Sequence, residues 1–340
     1  MSTTSSYQTF QDLYLGLQKR VRITTGVTAS EDQAKSYVNV ALHDVHLGTE
    51  YKYPWAERAA SLLTHARYTT GTVTITQGST SLTGASTAWA TATAFGFNNM
   101  RAGGKVTIGG SIEPYEITGT PTDTAATLTS RFTGSAVTAG SYVYYEDEYE
   151  LASDFWRPLD MSYFDADRQI QLIGRDDFYR WFPRNSQPGT PKYAMLIDKA
   201  PSGNTTRRRR VVLAAPPSEV KTITYRYITS NLVTSLAGAA QAEFSADSDE
   251  PLMPVRYRHA ILYHALYNWY RDKKDDSRAG DVWGQYVDVM NRISGDVEIG
   301  ARTPKLMPRV SGYVSAAKAP YRAGGRGRYY QVGNAFDQER

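Results

Sequence analysis

The chain of 340 residues contains no cysteine, and this absence excludes several kinds of chemistry. Without a thiol there is no disulfide, no thiolate-bound zinc and no cysteine nucleophile. The sequence also lacks a run of roughly 18 apolar residues, the length that a membrane-spanning helix needs. Its first ten residues, MSTTSSYQTF, lack the basic and apolar regions of a secretory signal. We therefore expect a soluble protein with no membrane partner, stabilised by packing and assembly.

Patterns that carry catalysis or bind metals are also missing. No G-x-S-x-G elbow and no phosphate-binding G-x-x-x-x-G-K-[ST] loop occurs. His43 and His46 lie one helical turn apart, but no third ligand follows at a fixed spacing, so they read as helix-surface histidines. The acidic stretches EDEYE (146–150) and DSDE (247–250) lack the glycine of a calcium loop and read as solvated loops, although either could meet a basic partner. We predict no catalytic residue, no metal, no cofactor and no enzymatic activity.

Positive charge is unevenly distributed along the chain. Residues 300–340 contain eight Lys and Arg against two acids, a balance of +6, whereas the whole chain has a formal charge of +4. The remaining residues therefore carry 30 basic against 32 acidic side chains, or −2. A nearly neutral body with a cationic C-terminal segment is the simplest interpretation.

Both ends of the chain before that segment have helical periodicity. Phe10, Leu13, Leu17 and Val21 recur at spacings of three and four, and the stretch from Ser30 to Gly48 is a second helix candidate. A third helix is predicted to begin at Pro54 and to continue through WAERAASLLTHA. Two further helices are predicted in residues 254–293, and we expect them to pack on the N-terminal ones.

The middle of the chain favours strands. Residues 69–150 are rich in Thr, Ser and Gly, and short alternating segments such as GTVTITQGS and GKVTIGG predict about six antiparallel strands in a small sandwich or barrel. Residues 151–235 mix strands with one short helix, RDDFYRWFP; the segments KYAMLID, RRRRVVLAAPP and VKTITYRYI are predicted to form a three-stranded meander.

The predicted fold is therefore α+β: a helical bundle from the N- and C-terminal helices, an inserted all-β sandwich or barrel, a small antiparallel sheet and an extended C-terminal tail. The predicted boundaries are 1–68 for the N-terminal helices, 69–150 for the β domain, 151–235 for the mixed segment, 236–299 for the C-terminal helices and 300–340 for the tail. Prolines and glycines in the tail argue against regular structure before it binds a partner.

Two basic features are candidate binding sites. An arginine run begins a predicted strand, and its side chains alternate in direction, so it could line a DNA path, pair with acids of a neighbouring chain, or simply form a charged hairpin turn. It consists of Arg207, Arg208, Arg209 and Arg210. The tail segment RAGGRGRYY is similar to the arginine and glycine segments of RNA-binding proteins.

Several segments, in this order, resemble head-to-tail adaptor proteins of tailed bacteriophages, also called head-completion or connector proteins. They are GTVTITQGSTSLTGASTAW, GGKVTIGGSIEPYEITG, YVYYEDEYELASDFWRPLDM, YRWFPRNSQPGTPKYAMLI, VVLAAPPSEVKTITYRYI and DEPLMPVRYRHAILYHALYNWYRDK. The resemblance spans about residues 8–295 and rests on composition and order. The large size and the β insert depart from the smallest members, which are all-helical.

The resemblance implies a structural protein of the virion, located at the head–tail interface and assembled in the cytoplasm of the bacterial host. Members form a homo-oligomeric ring, commonly a dodecamer, between the portal protein and the tail or nozzle proteins, with the genomic double-stranded DNA passing through its lumen. C-terminal extensions reach the portal, so the tail is expected to dock there. The implied portal-docking residues are Arg309, Tyr313, Tyr321, Arg322, Arg326, Arg328, Tyr329 and Tyr330.

Two other functions stay open on sequence grounds. The β insert could bind a host glycan as part of a phage tail protein, with Trp89, Trp156 and nearby tyrosines stacking on sugars. Alternatively, the basic tail and Arg207 to Arg210 could bind nucleic acid.

Overall fold

The computed structural model describes residues 7–22, 27–47, 53–163, 168–183, 185–200 and 208–301. Their helices are α1 (Phe10–Val21), α2 (Thr28–His46), α3 (Arg175–Trp181), α4 (His259–Asp272) and α5 (Asp276–Ala301). Their strands are β1 (Glu57–Leu63), β2 (Thr72–Ile75), β3 (Ser81–Ala85), β4 (Lys105–Ile108), β5 (Tyr115–Thr118), β6 (Ala125–Leu128), β7 (Val137–Gly140), β8 (Tyr142–Tyr145), β9 (Glu148–Glu150), β10 (Phe155–Tyr163), β11 (Arg168–Gln169), β12 (Gln171–Leu172), β13 (Tyr193–Lys199), β14 (Arg208–Leu213), β15 (Thr222–Thr229), β16 (Val233–Thr234), β17 (Ala240–Gln241) and β18 (Glu250–Pro251). The predicted mixture of helices with antiparallel sheets is confirmed.

Helices from the two ends of the chain pack together in a layer made of α1, α2 and α4. Leu13, Leu42 and Ile261 are fully buried, because the apolar positions of each helix recur on one face. Helix α1 begins with a capping box, in which Asp12 N donates to Thr9 Oγ1 at 3.3 Å and Thr9 N donates back to Asp12 Oδ2 at 3.1 Å. This layer brings together segments that are far apart in the sequence.

The predicted third helix after Pro54 is wrong. Only Pro54–Ala56 form a 3-10 turn, and the residues that follow are strand β1, which pairs antiparallel with β15 from Glu57↔Ile228 to Leu63↔Thr222. Ala and Leu favour helix by less than about 0.7 kcal/mol per residue. Seven paired residues and the burial of Leu62 outweigh that preference, because strand geometry turns Ala60 and Leu62 to the same face.

Strands β2 to β8 form a nearly closed antiparallel sheet, here called the β module, in the order β7-β2-β3-β6-β5-β4-β8. The edge strand β8 is bridged to Tyr68, in the segment that leads into β2: Tyr68 N donates to Tyr144 O at 3.0 Å, and Tyr68 O accepts from Tyr144 N at 2.9 Å. The alternation in TVTI, SLTGA and KVTI buries every second side chain, as the sequence predicts. Seven strands form where about six were predicted.

Beside the β module lie two four-stranded sheets, ordered β1-β15-β10-β11 and β12-β13-β14-β9, and a small three-stranded sheet ordered β17-β16-β18. The predicted meander is therefore wrong: β13 pairs with β14, but β15 pairs with β1 and β10 in the other sheet. Pairing is antiparallel except between β12 and β13. The C-terminal half of β14 is apolar on both faces, because Val211 packs in the core shared by the two sheets and Val212 packs under α3. Because both faces of this part of the strand are buried, its sequence does not alternate between apolar and polar residues, and alternation therefore does not indicate which strand pairs with β14.

Helix α5 packs on α4 through aromatic side chains. The rings of Tyr267 and Trp283 lie 4.6 Å apart, and those of His264 and Tyr286 lie 5.0 Å apart. The helix ends at Ala301, eight residues beyond its predicted end and one beyond Gly300, where regular structure was expected to have ended. Among the described residues, no helix has the length and apolarity to span a membrane.

Candidate interaction surfaces and charged junction

The eight portal-docking residues implied by the resemblance lie outside the described residues, as does Arg207. The three remaining arginines of the run lie on β14, which is flanked by β13 and β9 in the second four-stranded sheet. Each faces an acid of its own chain: Arg208 Nε lies 3.8 Å from Glu150 Oε2, and Arg209 Nε lies 2.6 Å from Asp198 Oδ1. Arg210 is half-buried, with its Nε 3.9 Å from Glu148 Oε2. The run is therefore cross-strand paired, although its proposed contacts to DNA or a neighbouring chain stay predictions.

The β module meets the second sheet at a cluster of ionised side chains, here called the charged junction. Its members are Arg101, Lys105, Glu116, Glu146, Asp147, Glu148, Lys199 and Arg210. At one end, Arg101 donates from Nε and Nη2 to the two oxygens of Glu146, both at 2.7 Å, and Tyr144 Oη donates to Glu146 Oε1 at 2.7 Å. This two-point pairing fixes the carboxylate in both position and orientation.

At the centre of the charged junction, ion pairs connect the β module to the second four-stranded sheet. Lys105 Nζ, on β4, lies 2.8 Å from Asp147 Oδ2 and 3.5 Å from Glu148 Oε1. Lys199 Nζ, on β13, lies 3.0 Å from Glu148 Oε2 and 2.5 Å from Glu116 Oε2 on β5. Glu148 thus pairs with one cation of the β module and one cation of the second sheet. These ion pairs attach the β module to the sheet in addition to its two covalent connections.

The interpretation of EDEYE as a solvated loop is wrong. Glu146 is 5% exposed and Asp147 is 1% exposed, because β8 leads directly into β9 under the β module. Burial raises the pKa of Asp147, although Lys105 and Asn185 oppose that effect. Burial alone would lower the pKa of Lys105, but Asp147 and Glu148 outweigh it and raise the pKa. Lys105 and Asp147 therefore each favour the charged form of the other, and the pair has a structural role.

The second acidic stretch, DSDE, is also more structured than predicted. Asp249 is buried, and its Oδ2 accepts hydrogen bonds from Ser245 N and Ala246 N, each at 2.8 Å. Burial would raise the pKa of Asp249, but these hydrogen bonds lower it. Asp247 binds Lys35 Nζ at 3.0 Å and accepts from Tyr14 Oη at 3.1 Å. The acidic loop therefore secures α1 and α2.

His46 is buried in the helical layer rather than exposed on it. Trp55 Nε1 donates to His46 Nε2 at 3.3 Å, and His46 Nδ1 lies 3.1 Å from Leu42 O. Burial is the main reason that the pKa of His46 falls to about 4. His43 lies 3.8 Å from Glu243. Within the described ranges, no group of three His, Asp or Glu side chains is placed to hold a metal ion.

The side chains suggested for glycan stacking are largely inaccessible. Trp89 is 0% exposed and donates from Nε1 to Tyr142 Oη at 2.8 Å. Tyr142, Tyr144 and Tyr145 are also buried, whereas Trp156 keeps 39% of its surface. The prediction that Trp89 stacks on a sugar is wrong, because this ring fills the core of the β module.

Exposed apolar side chains mark two surfaces that could receive partners. The α3 surface carries Tyr179 and Trp181, each about half exposed, and Trp181 lines a groove of about 660 Å³ together with Pro188 and Ala215. A second groove of about 620 Å³ runs between α2 and α4 beside Val40. Sequence reasoning missed both, although the exposed aromatic residues in RDDFYRWFP were a signal for the first.

The sequence matches no family model, and the comparison with curated proteins finds no significant similarity.

Proposed function

We propose that this protein is a structural head-to-tail adaptor of a tailed bacteriophage, forming a ring between the portal and the tail around the DNA channel. The observation that carries the proposal is the helical layer, in which α1 and α2 from one end of the chain pack on α4 from the other. The β module and the two sheets are inserted between them. The resemblance implies a body built on a short helical bundle, so the helical layer supports the proposal.

The distribution of charge supports a docking role for the C-terminal segment. Residues 302–340 carry eight basic and two acidic side chains, with tyrosines between the arginines. In a ring, copies of such a segment act together, so individually weak contacts give durable attachment. Arginine and tyrosine are the side chains most enriched at the energetic centres of interfaces. The acids of the portal are the proposed partners of Arg322, Arg326 and Arg328.

The arginine run is proposed to face a subunit boundary or the channel. Arg208 and Arg209 are paired within the chain, yet both keep about a third of their side-chain surface in contact with solvent. Contact with passing DNA would involve phosphates without sequence readout, and its strength would fall as salt concentration rises.

Deletion of residues 302–340 tests the role of the C-terminal segment. The truncated chain keeps all described helices, so we expect its circular dichroism and thermal unfolding to resemble those of the full chain, while capture by portal rings is lost. The matched control replaces Lys19 and Lys274, two exposed cations of the body, with glutamine and leaves the segment intact; it should be captured like the full chain. Equal capture of the truncated and full chains would contradict the proposed docking role.

A further inference from the structure

A cavity of about 340 Å³ lies between the β module, α3 and the outer face of β13 and β14. This volume is at the lower end of the range of small-molecule and side-chain binding pockets, about 300 to 1,000 Å³. Elements from three parts of the fold build it, and the charged junction forms one of its ends. The cavity therefore forms only when these parts of the fold pack against one another.

The floor of the cavity is apolar. Phe178, Met195 and Val212 line it and are almost fully buried. Two tyrosines add aromatic surface, Tyr145 from the β module and Tyr179 from α3, and Tyr179 is half exposed. Such a floor fits a hydrocarbon stem, because moving apolar surface out of water favours binding by about 25 cal/mol per Å².

One acceptor at the polar end is unused. Asp147 lines the cavity and is 1% exposed; its Oδ2 accepts from Lys105 Nζ at 2.8 Å and Asn185 Nδ2 at 3.3 Å. Its Oδ1 has no hydrogen-bond partner among the described residues. A buried acceptor without a donor has a free-energy cost, because it has lost its hydrogen bonds to water. A ligand that donates a hydrogen bond here would recover part of that cost.

A second carboxylate lies at the rim. Glu113, in the turn between β4 and β5, lines the cavity and is exposed, and none of the ion pairs in the described part of the chain involves it. Glu148 and Lys105 also line the polar end, so three carboxylates face one cation around the cavity. This balance above an apolar and aromatic floor favours a cation with a hydrocarbon body. The protein uses the same combination elsewhere, since Arg101 pairs with Glu146 while its guanidinium lies 4.9 Å from the centre of the Phe97 ring.

We propose that this cavity binds a guanidinium group on a hydrocarbon stem, presented as an arginine side chain of a partner protein. The stem lies on Phe178 and Met195, and the planar head donates to Asp147 and Glu113. Guanidinium fits better than ammonium because it is planar, weakly hydrated and able to stack on tyrosine rings. The inference does not rest on the adaptor role, so either can fail without the other.

Titration of the full chain with a blocked amino acid tests the proposal. The probe is N-acetyl-arginine amide, and the control ligand is N-acetyl-citrulline amide, which has nearly the same shape but no charge. Calorimetry and NMR should detect binding of the arginine derivative, and the citrulline derivative should bind at least about tenfold more weakly. Absence of binding, or equal binding of the two ligands, would overturn the proposal.

Variants locate the binding event. Glu113→Gln is at the exposed rim and should weaken binding about threefold with little effect on folding. Asp147→Asn should weaken it about tenfold or more, and its thermal unfolding must be recorded because Asp147 also pairs with Lys105. Asp32→Asn changes an exposed carboxylate of α2 that does not line the cavity, and should bind as wild type. Wild-type affinity in both cavity variants would contradict this site.

A peptide distinguishes the two possible sources of the group. Ala-Gly-Arg-Gly-Ala offers flanking backbone that Tyr179 and Trp181 can contact, whereas a free guanidino compound has none. We expect the peptide to bind at least about threefold more tightly than the blocked amino acid. Weaker binding of the peptide would overturn the assignment to a partner protein.

Discussion

The β module and the helical layer are stabilised in different ways. The core of the β module comes from one continuous stretch, with buried residues between Val73 and Tyr144. The helical layer joins α1 and α2 to α4, and the β module and both further sheets lie between them in sequence. Local contacts suffice for the β module, whereas the layer forms only when the distant ends of the chain meet. The difference indicates that the β module can unfold while the helical layer stays folded.

The packing of the two regions also differs. The largest fully buried side chain of the β module is Trp89, whose Nε1 donates to Tyr142 Oη. In the layer, small residues such as Ala34, Ala41 and Ala265 are fully buried, which allows close approach of helices. A single large truncation should therefore damage the β module more than the layer.

Replacing Trp89 with alanine should have the largest effect. The cavity and the lost contacts should destabilise the β module by about 4 kcal/mol. Hydrogen exchange should show loss of protection in residues 72–145, with protection retained in α1, α2 and α4. Trp156→Ala is the matched control and should cost less than about 1 kcal/mol because that ring is partly exposed. Simultaneous loss of protection in the helical layer would contradict separate stabilisation of the two regions.

Replacing Lys105 with methionine tests the charged junction between the β module and the sheet. Asp147 would be left buried without its cation, so we expect a loss of about 3 kcal/mol in urea unfolding. A second replacement, Asp147→Leu, removes the stranded charge and should restore most of that loss. No recovery in the double variant would show that Lys105 acts mainly through packing.

Acid should weaken the helical layer through His46. Its pKa is about 4 in the folded protein, against about 6.5 when unfolded, so the unfolded state binds the proton more tightly. Stability therefore falls as pH drops below 6.5 and levels off near 4; between pH 7 and pH 5 the loss is about 2 kcal/mol. Urea unfolding of His46→Gln should lack this component, whereas His43→Gln should retain it. The same pH dependence in both variants would exclude His46 as its source.

The exposed arginines of β14 should matter least. Arg209→Gln removes a pair with Asp198 in which both side chains contact solvent, and its cost should be below about 0.5 kcal/mol. Thermal unfolding in low and high salt measures this contribution. A loss as large as that of Lys105→Met would contradict the distinction between buried and exposed pairs.

Sequence periodicity predicted those helices and strands whose formation is evident from their own residues. The apolar spacing of α1 and α2 and the alternation in TVTI and KVTI each locate an element, because one face of each is buried. It could not identify ERAASLL as strand β1, since the deciding partner, β15, lies more than 150 residues away. Nor could it show that Glu146 and Asp147 are buried, because the cations that face them belong to distant strands. The charged junction therefore required the tertiary structure.

Electron microscopy of the full chain mixed with portal rings tests the adaptor proposal most directly. The portal should be one encoded in the same genome as this chain. We predict a ring of this protein at the narrow end of the portal, with the channel open along its axis, and no such ring for the chain that lacks residues 302–340. A folded full-length protein that leaves the portal unchanged would contradict the proposal.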